Sequence, residues 1–303
     1  MEKRKVAVAG LAMLLLLITL VPLGCISGGG KIAVISLSGP IQAKSSFFLG
    51  SAITPELVRE QLTKAEWDGT VKAIVIQVES PGGTVAACQE ILNEMDRVKK
   101  KKPIVVSMGD MAASGGYYIS ARADKIVALP GTLTGSIGVI SQIPNIKGLY
   151  DKLGIEMQTF KGGKYKDMYA GLRELTSEEK EIMQELVDQY YEQFIEVVAE
   201  GRGLSREKVR SLATGQLYTG IQAKKLGLVD ELGGVQRAIG LAAQLAGIEQ
   251  PQVEYYKLEA PSLWSLLGMT LDEWYSLIQM RLLGAENYFL LETLGCTYPE
   301  PCY

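Results

Sequence analysis

Any hydrolytic or transfer chemistry in this chain has to be done without histidine, because its 303 residues contain none. That absence excludes Ser-His-Asp and Cys-His mechanisms and His-ligated zinc, and removes the side chain whose ordinary pKa lies nearest neutrality. Acid–base work falls to Lys, Asp, Glu, Tyr or Cys. The four cysteines, Cys25, Cys88, Cys296 and Cys302, contain no CxxC pair, which argues against a four-thiolate zinc site. A candidate nucleophile lies in Ser114-Gly115-Gly116, which follows a predicted strand and opens a predicted helix; Gly82-Gly83 stands at a second junction of the same form. Glycine lets the chain turn tightly and lets a ligand approach the amide N–H groups. A helix start points unpaired N–H donors and a partial positive charge outward. A serine there could attack a carbonyl beside an oxyanion hole. Ser-Gly-Gly also serves in plain turns, and no GxSxG elbow is present, so the tripeptide by itself leaves both roles open.

A serine nucleophile without histidine needs another base. Lysine can serve when burial and nearby positive charge keep it neutral at working pH. Thirty-one Lys and Arg residues are too many to choose among by composition. Gly162-Gly163-Lys164-Tyr165-Lys166-Asp167 stands out as a Gly-initiated loop after a predicted strand, with a solvated basic loop as its plainer reading.

These residues need a frame to hold them. Alternating apolar residues predict a strand at 31–37 and a β-branched run one of buried type at 73–78, with further strands at 104–108, 125–129, 137–141 and 155–160. Helices are predicted from Thr54, as N-cap, to about Trp67, over Val85–Lys99, from Ser114 to about Ala123, and over 177–200, with short helices near 205–212, 219–226 and 234–246. Residues 44–53 read as a loop. Strands alternating with helices indicate an α/β fold with largely parallel strands, and no internal repeat is visible. Length alone suggests about two domains. With 47% hydrophobic and 21% charged residues, a chain of this size can bury roughly three quarters of its unfolded surface without staples. Net charge is −3, and no stretch interleaves basic with aromatic residues, which argues against a nucleic-acid partner.

The N-terminus reads differently. Lys3, Arg4 and Lys5 precede an almost wholly apolar run, Val6 to Ile26, and about 20 such residues make the roughly 30 Å needed to cross a bilayer. A retained anchor, a lipoprotein signal ending at Cys25, and a cleaved secretory signal all fit this run. All three send the remaining chain out of the cytoplasm, with the basic cluster inside. We adopt the retained anchor, with Gly28-Gly29-Gly30 as a flexible exit from the membrane.

Three motifs then carry a resemblance: Ser80-Pro81-Gly82-Gly83-Thr84, Asp110-Met111-Ala112-Ala113-Ser114-Gly115-Gly116-Tyr117-Tyr118, and Thr134-Gly135-Ser136-Ile137-Gly138-Val139. In this order they resemble the signal peptide peptidase A family, membrane-anchored Ser-Lys peptidases of the Clp/crotonase-like fold. Gly162–Asp167 resembles that family's lysine loop, and Leu226–Gly234 its closing segment, so the similarity spans about residues 31–247. The resemblance implies an α/β superhelix of ββα units preceded by one N-terminal transmembrane helix. It makes Ser114 the nucleophile and Lys166 the general base. The backbone N–H groups of Gly83 and Gly115 become the oxyanion donors, and Ser136 the residue that orients the lysine. No cofactor is implied. Substrates would be signal-peptide remnants or other hydrophobic segments of membrane proteins. In short members of the family the site is completed across subunits of a ring or dome, so Lys166 is expected to reach Ser114 of a neighbouring copy.

The expected organisation is 1–30, membrane anchor and Gly linker; 31–250, Ser-Lys peptidase domain; and 251–303, an apolar tail of unassigned role. The protein would sit in the cell membrane as a single-pass chain, N-terminus cytoplasmic and catalytic domain outside. Two other readings were weighed: a stomatin-associated type of membrane Ser-Lys protease, which has a shorter Ser-to-Lys spacing, and a crotonase-like acyl-CoA enzyme, which would leave Ser114 and Lys166 unexplained. In the tail, Cys296 and Cys302 are expected to form an intrachain disulfide, and Cys88 to be a buried, unreactive thiol.

Overall fold

The computed structural model describes residues 29–44 and 52–256. Its frame is a mixed sheet built from β1 (Lys31–Ser38), β2 (Val71–Ser80), β3 (Ile104–Ala113), β4 (Lys125–Ala128), β5 (Leu133–Gly135), β6 (Leu217–Thr219), β7 (Glu231–Leu232) and β8 (Gln252–Tyr256). The main path runs β6-β5-β3-β2-β1-β8, with β4 on β3 and β7 on β4; every pairing is parallel except β5 with β6. Eight helices accompany it among the described residues: α1 (Pro55–Trp67), α2 (Val85–Lys99), α3 (Gly115–Ser120), α4 (Lys147–Leu153), α5 (Ser177–Arg202), α6 (Arg206–Leu212), α7 (Gly220–Leu226) and α8 (Val235–Ala246).

The strands are apolar on both faces, as a covered parallel sheet requires. Alternate residues of one strand serve different cores. Ile32 and Val34 pack with Val75 and Val105 under Ala238 and Ala242 of α8, whereas Ala33, Ile35 and Leu37 join Leu62 of α1 and Ile91 of α2 on the opposite face. The predicted caps form as expected: the Thr54 hydroxyl accepts from the Leu57 N–H, and α2 covers the predicted residues.

β3 departs most from its neighbours and sets the site. It pairs with β2 in register from Ile74↔Ile104 to Val78↔Met108, then jumps to Ser80↔Ala112. Gly109, Asp110 and Met111 bulge out, and the Glu79 carboxylate accepts the Asp110 and Met111 N–H groups at 2.6 and 3.0 Å. Before the bulge β3 pairs with β4; after it, with β5. One strand therefore continues past its first ladder and delivers Ser114 at the end of a second.

Three expectations need correction. Residues 137–141 and 155–160 form no strand. Their apolar residues do alternate, but no neighbouring strand meets them. Residues 142–170 instead run as a largely exposed arm containing α4. The helix after Ser114 ends at Ser120, short of Ala123. A further strand, β8, pairs with β1 inside the stretch read as tail. The predicted membrane segment with Cys25, and the tail from residue 257 with Cys296 and Cys302, lie outside the described residues. Among the described residues no helix is long and apolar enough to cross a membrane.

The segment Leu226–Gly234 acts as a clasp. Its Asp230 carboxylate accepts the Ile126 N–H at 2.8 Å and pairs with Arg202 at 2.8 Å, the Arg202 side chain being only 7% exposed. The Tyr117 hydroxyl, at the base of the Ser114 helix, donates to the Leu228 carbonyl. Replacing Asp230 with alanine strands a nearly buried guanidinium. Asp230→Ala should therefore lower unfolding stability by about 3 kcal/mol, measured by urea denaturation; a loss under about 1 kcal/mol would refute the clasp.

Candidate active site

Two chain reversals at the ends of β2 and β3 build the centre. Ser114 follows the last residue of β3 with φ +50° and ψ −119°, its N–H donating to the Gly135 carbonyl and its carbonyl accepting from the Tyr118 N–H, both at 2.9 Å. Positive φ is costly for a residue with a Cβ, on the order of 1–3 kcal/mol. Among the described residues only two non-glycines adopt it, Ser114 and Ser136 at φ +48°. Both are residues singled out from the sequence.

The facing turn at Gly82-Gly83 is equally constrained. Gly82 has φ +115°, and a Cβ on it would lie 2.8 Å from the Ser114 Cβ and 3.1 Å from Oγ. Gly83 is pressed on Ile41, whose N–H donates to the Gly82 carbonyl and whose carbonyl accepts from Thr84. A Cβ on Gly83 would stand 1.8 Å from the Ile41 carbonyl oxygen. Gly115 is as tight: its Cβ would meet the Cys88 Sγ at 2.6 Å and the Gly83 nitrogen at 3.0 Å. The Gly83 and Gly115 amides thus lie side by side next to Ser114, and neither donates a hydrogen bond among the described residues. Such a pair of donors can bind the oxygen of a tetrahedral intermediate.

Ser114, Gly83, Gly115 and Ser136 border one cleft of about 560 Å³. Its walls are mainly apolar: Val139 and Ile140 come from the chain after Ser136, and Tyr118 meets Phe194 of α5 edge-on with ring centroids 5.1 Å apart. Asp188 is its one charged lining residue among those described. The contribution of α5 was missed. The predicted face of that helix, with Tyr190, Phe194 and Val197, suited simple packing, and the added aromatic Tyr191 was the available sign of a second use.

The lysines are placed elsewhere. Lys166 is exposed on the turn after Gly163 and does not line the cleft of its own chain. Lys164 is engaged, pairing with Glu178 and lying 4.9 Å from the Tyr165 ring centroid. The hydrogen bond to Glu178 holds its pKa above the usual lysine value, which makes it a poor base. The chain therefore brings four of the five predicted site residues together and sets Lys166 apart on the exposed arm. That arm presents bare apolar side chains, with Met157 57% and Phe160 92% exposed.

Comparison with known proteins bears on this arrangement. Residues 96–249 match the model of peptidase family S49, and residues 33–134 match that of Clp protease. A protein of Methanocaldococcus jannaschii named "Putative protease" is 39% identical over 249 residues, covering 80% of this chain and 79% of its own length. The "Putative signal peptide peptidase SppA" of Enterococcus faecium is 38% identical over 251 residues, covering 82% and 73%. "Protease 4" of Salmonella typhi is 36% identical over 276 residues, covering 90% of this chain and 42% of that one.

Cys88 borders the cleft from α2 yet cannot compete as a nucleophile. Burial pushes its thiol up to about 12, so almost none is thiolate at working pH. Intact protein treated with iodoacetamide at neutral pH should leave Cys88 unmodified, and full alkylation should need denaturant. Modification of the folded protein within minutes, read by mass spectrometry, would overturn this assignment.

Proposed function

The chain belongs to peptidase family S49 and is a serine peptidase, and we propose that Ser114 is its nucleophile and that Lys166 of a second copy is its general base. The observation carrying this reading is the meeting of Ser114, held at φ +50°, with the unpaired Gly83 and Gly115 amides in one cleft. Neutral Lys166 takes the hydroxyl proton as Ser114 attacks a peptide carbonyl, and the two amides bind the oxyanion. The lysine then gives its proton to the leaving amine, and water hydrolyses the acyl-enzyme. Ser136, bordering the same cleft, orients the incoming amine. A second copy is invoked because Lys166 lies outside its own chain's cleft, while the arm bearing it exposes apolar surface suited to a neighbour.

The finer reading includes a Clp/crotonase-like superhelix of ββα units, an anchor at residues 6–26, and a catalytic domain outside the cytoplasm. The apolar walls, and the name of the Enterococcus relative, support signal-peptide remnants or other hydrophobic segments as substrates. No cofactor enters the scheme.

Ser114→Ala should lower kcat by about 10³-fold or more while leaving fold and assembly intact. Lys166→Ala should be about as damaging and Lys164→Ala mild. Mixing the inactive Ser114→Ala and Lys166→Ala proteins under exchange conditions should restore activity, because some sites then pair an intact serine with an intact lysine. No recovery despite demonstrated exchange would refute the shared site.

Small or medium apolar side chains should be preferred before the scissile bond. An acidic one would meet only the like charge of Asp188 and be buried unpaired at a cost of several kcal/mol, and a basic one would find a single exposed carboxylate in an otherwise apolar cleft. A peptide library profiled by mass spectrometry checks this, and a preference for charged over apolar residues at that position would contradict it.

A further inference from the structure

We propose that Arg173 is a positioning residue for Lys166, fixing the lysine loop to the first turn of α5 by gripping the carboxylate of the next residue, Asp167. The proposal rests on the reading of Lys166 as the base.

The guanidinium has five N–H donors, and all five are used. Nε and Nη2 form a fork on Asp167 at 3.0 and 2.8 Å. Nη1 and Nη2 form a second fork on Glu179 at 2.7 and 2.6 Å, and Nη1 also donates to the Glu174 carbonyl at 3.0 Å. Glu179 is itself immobile, its side chain 3% exposed and its carboxylate accepting the Thr176 N–H in the capping box of α5. Lys161 closes the other end, donating to Asp167 at 2.6 Å and to the Lys164 carbonyl at 3.1 Å.

Lys164 and Tyr165 are tied to Glu178 on the same helical turn. Every polar side chain from Lys161 to Asp167 is thus fastened to α5, to Arg173 or to the loop itself, except that of Lys166, which makes no ion pair among the described residues. Later turns of α5 carry Tyr191 and Phe194, which line the Ser114 cleft. One rigid helix therefore relates the loop that bears the base to a wall of a catalytic cleft.

An exposed ion pair is usually worth little stability. Two forks on one guanidinium, beside the residue whose amine must be delivered, serve placement. Arg173 also holds Glu179 well below the usual carboxylate range, at about 2, and lowers Asp167 as well. The network stays charged across working pH.

The test compares full-length Arg173→Gln, Arg173→Lys, Asp167→Asn and Lys166→Ala, reading kcat and KM on one apolar fluorogenic peptide from neutral to alkaline pH. Arg173→Gln should lose about 100-fold in kcat at neutral pH, the scale of an ångström-level misplacement, with KM nearly unchanged. Asp167→Asn, which removes the other end of the grip, should lose kcat to a similar extent. Arg173→Lys should recover only part of the loss, because an ammonium cannot fork two carboxylates; should the glutamine variant not fold, this pair carries the test. Wild-type kcat in Arg173→Gln with Lys166→Ala inactive overturns the proposal, as does a loss that only tracks loss of assembly. Full activity in Lys166→Ala would overturn the assignment of the base itself, and the proposal with it.

Discussion

Two turns at the ends of adjacent parallel strands approach so closely that no side chain fits between them, and the catalytic arrangement depends on this contact. Gly82, Gly83 and Gly115 each lack room for a Cβ, the obstacles being Ser114, the Ile41 backbone, Cys88 and one another. Glycine is required at these positions for clearance, and at Gly82 also for its positive φ. The contact places two amide donors side by side, neither of which donates a hydrogen bond among the described residues. Such a pair beside a serine fits an oxygen that arrives with the substrate.

The rest of the fold keeps these turns together. Were β2 and β3 in plain register to their ends, Ser114 would fall opposite Thr84, past the turn at Gly82. The bulge at Gly109–Met111 takes up the surplus residues and draws Ser114 back to Gly82, and Glu79 accepts from the amides that it frees. Beyond the bulge β3 finds a new neighbour in β5, whose end supplies Gly135 and Ser136. The strained serine is held from below by Tyr117, fully buried and bonded to the Leu228 carbonyl. That bond ties the Ser114 turn to the Asp230–Arg202 clasp, so a segment far along the chain braces it.

What could be read from the sequence follows from how local each signal is. The Gly-rich junctions, the Thr54 cap and the residues of α2 were legible because turns, caps and helical periodicity are properties of a few successive residues. Ser114, Gly83, Gly115 and Ser136 came through motif resemblance, and the structure brings them into one cleft. Strands at 137–141 and 155–160 were misread because alternation announces an extended chain but not a partner to pair with. β8 was passed over because its role depends on β1, more than two hundred residues earlier. The third wall of the cleft was hidden for a related reason: an aromatic on an amphipathic helix looks the same whether it faces a core or a substrate. The Arg173 network escaped notice too, since its ion pairs look like ordinary surface charge until two forks are seen on one guanidinium.

The distance between the serine and the lysine within one copy has a consequence for when the enzyme is dangerous. On the shared-site reading proposed above, a lone copy holds a nucleophile without its base, so proteolytic power appears only when copies meet, and it grows more steeply than their number. Scarcity then acts as a safety catch, and crowding releases it.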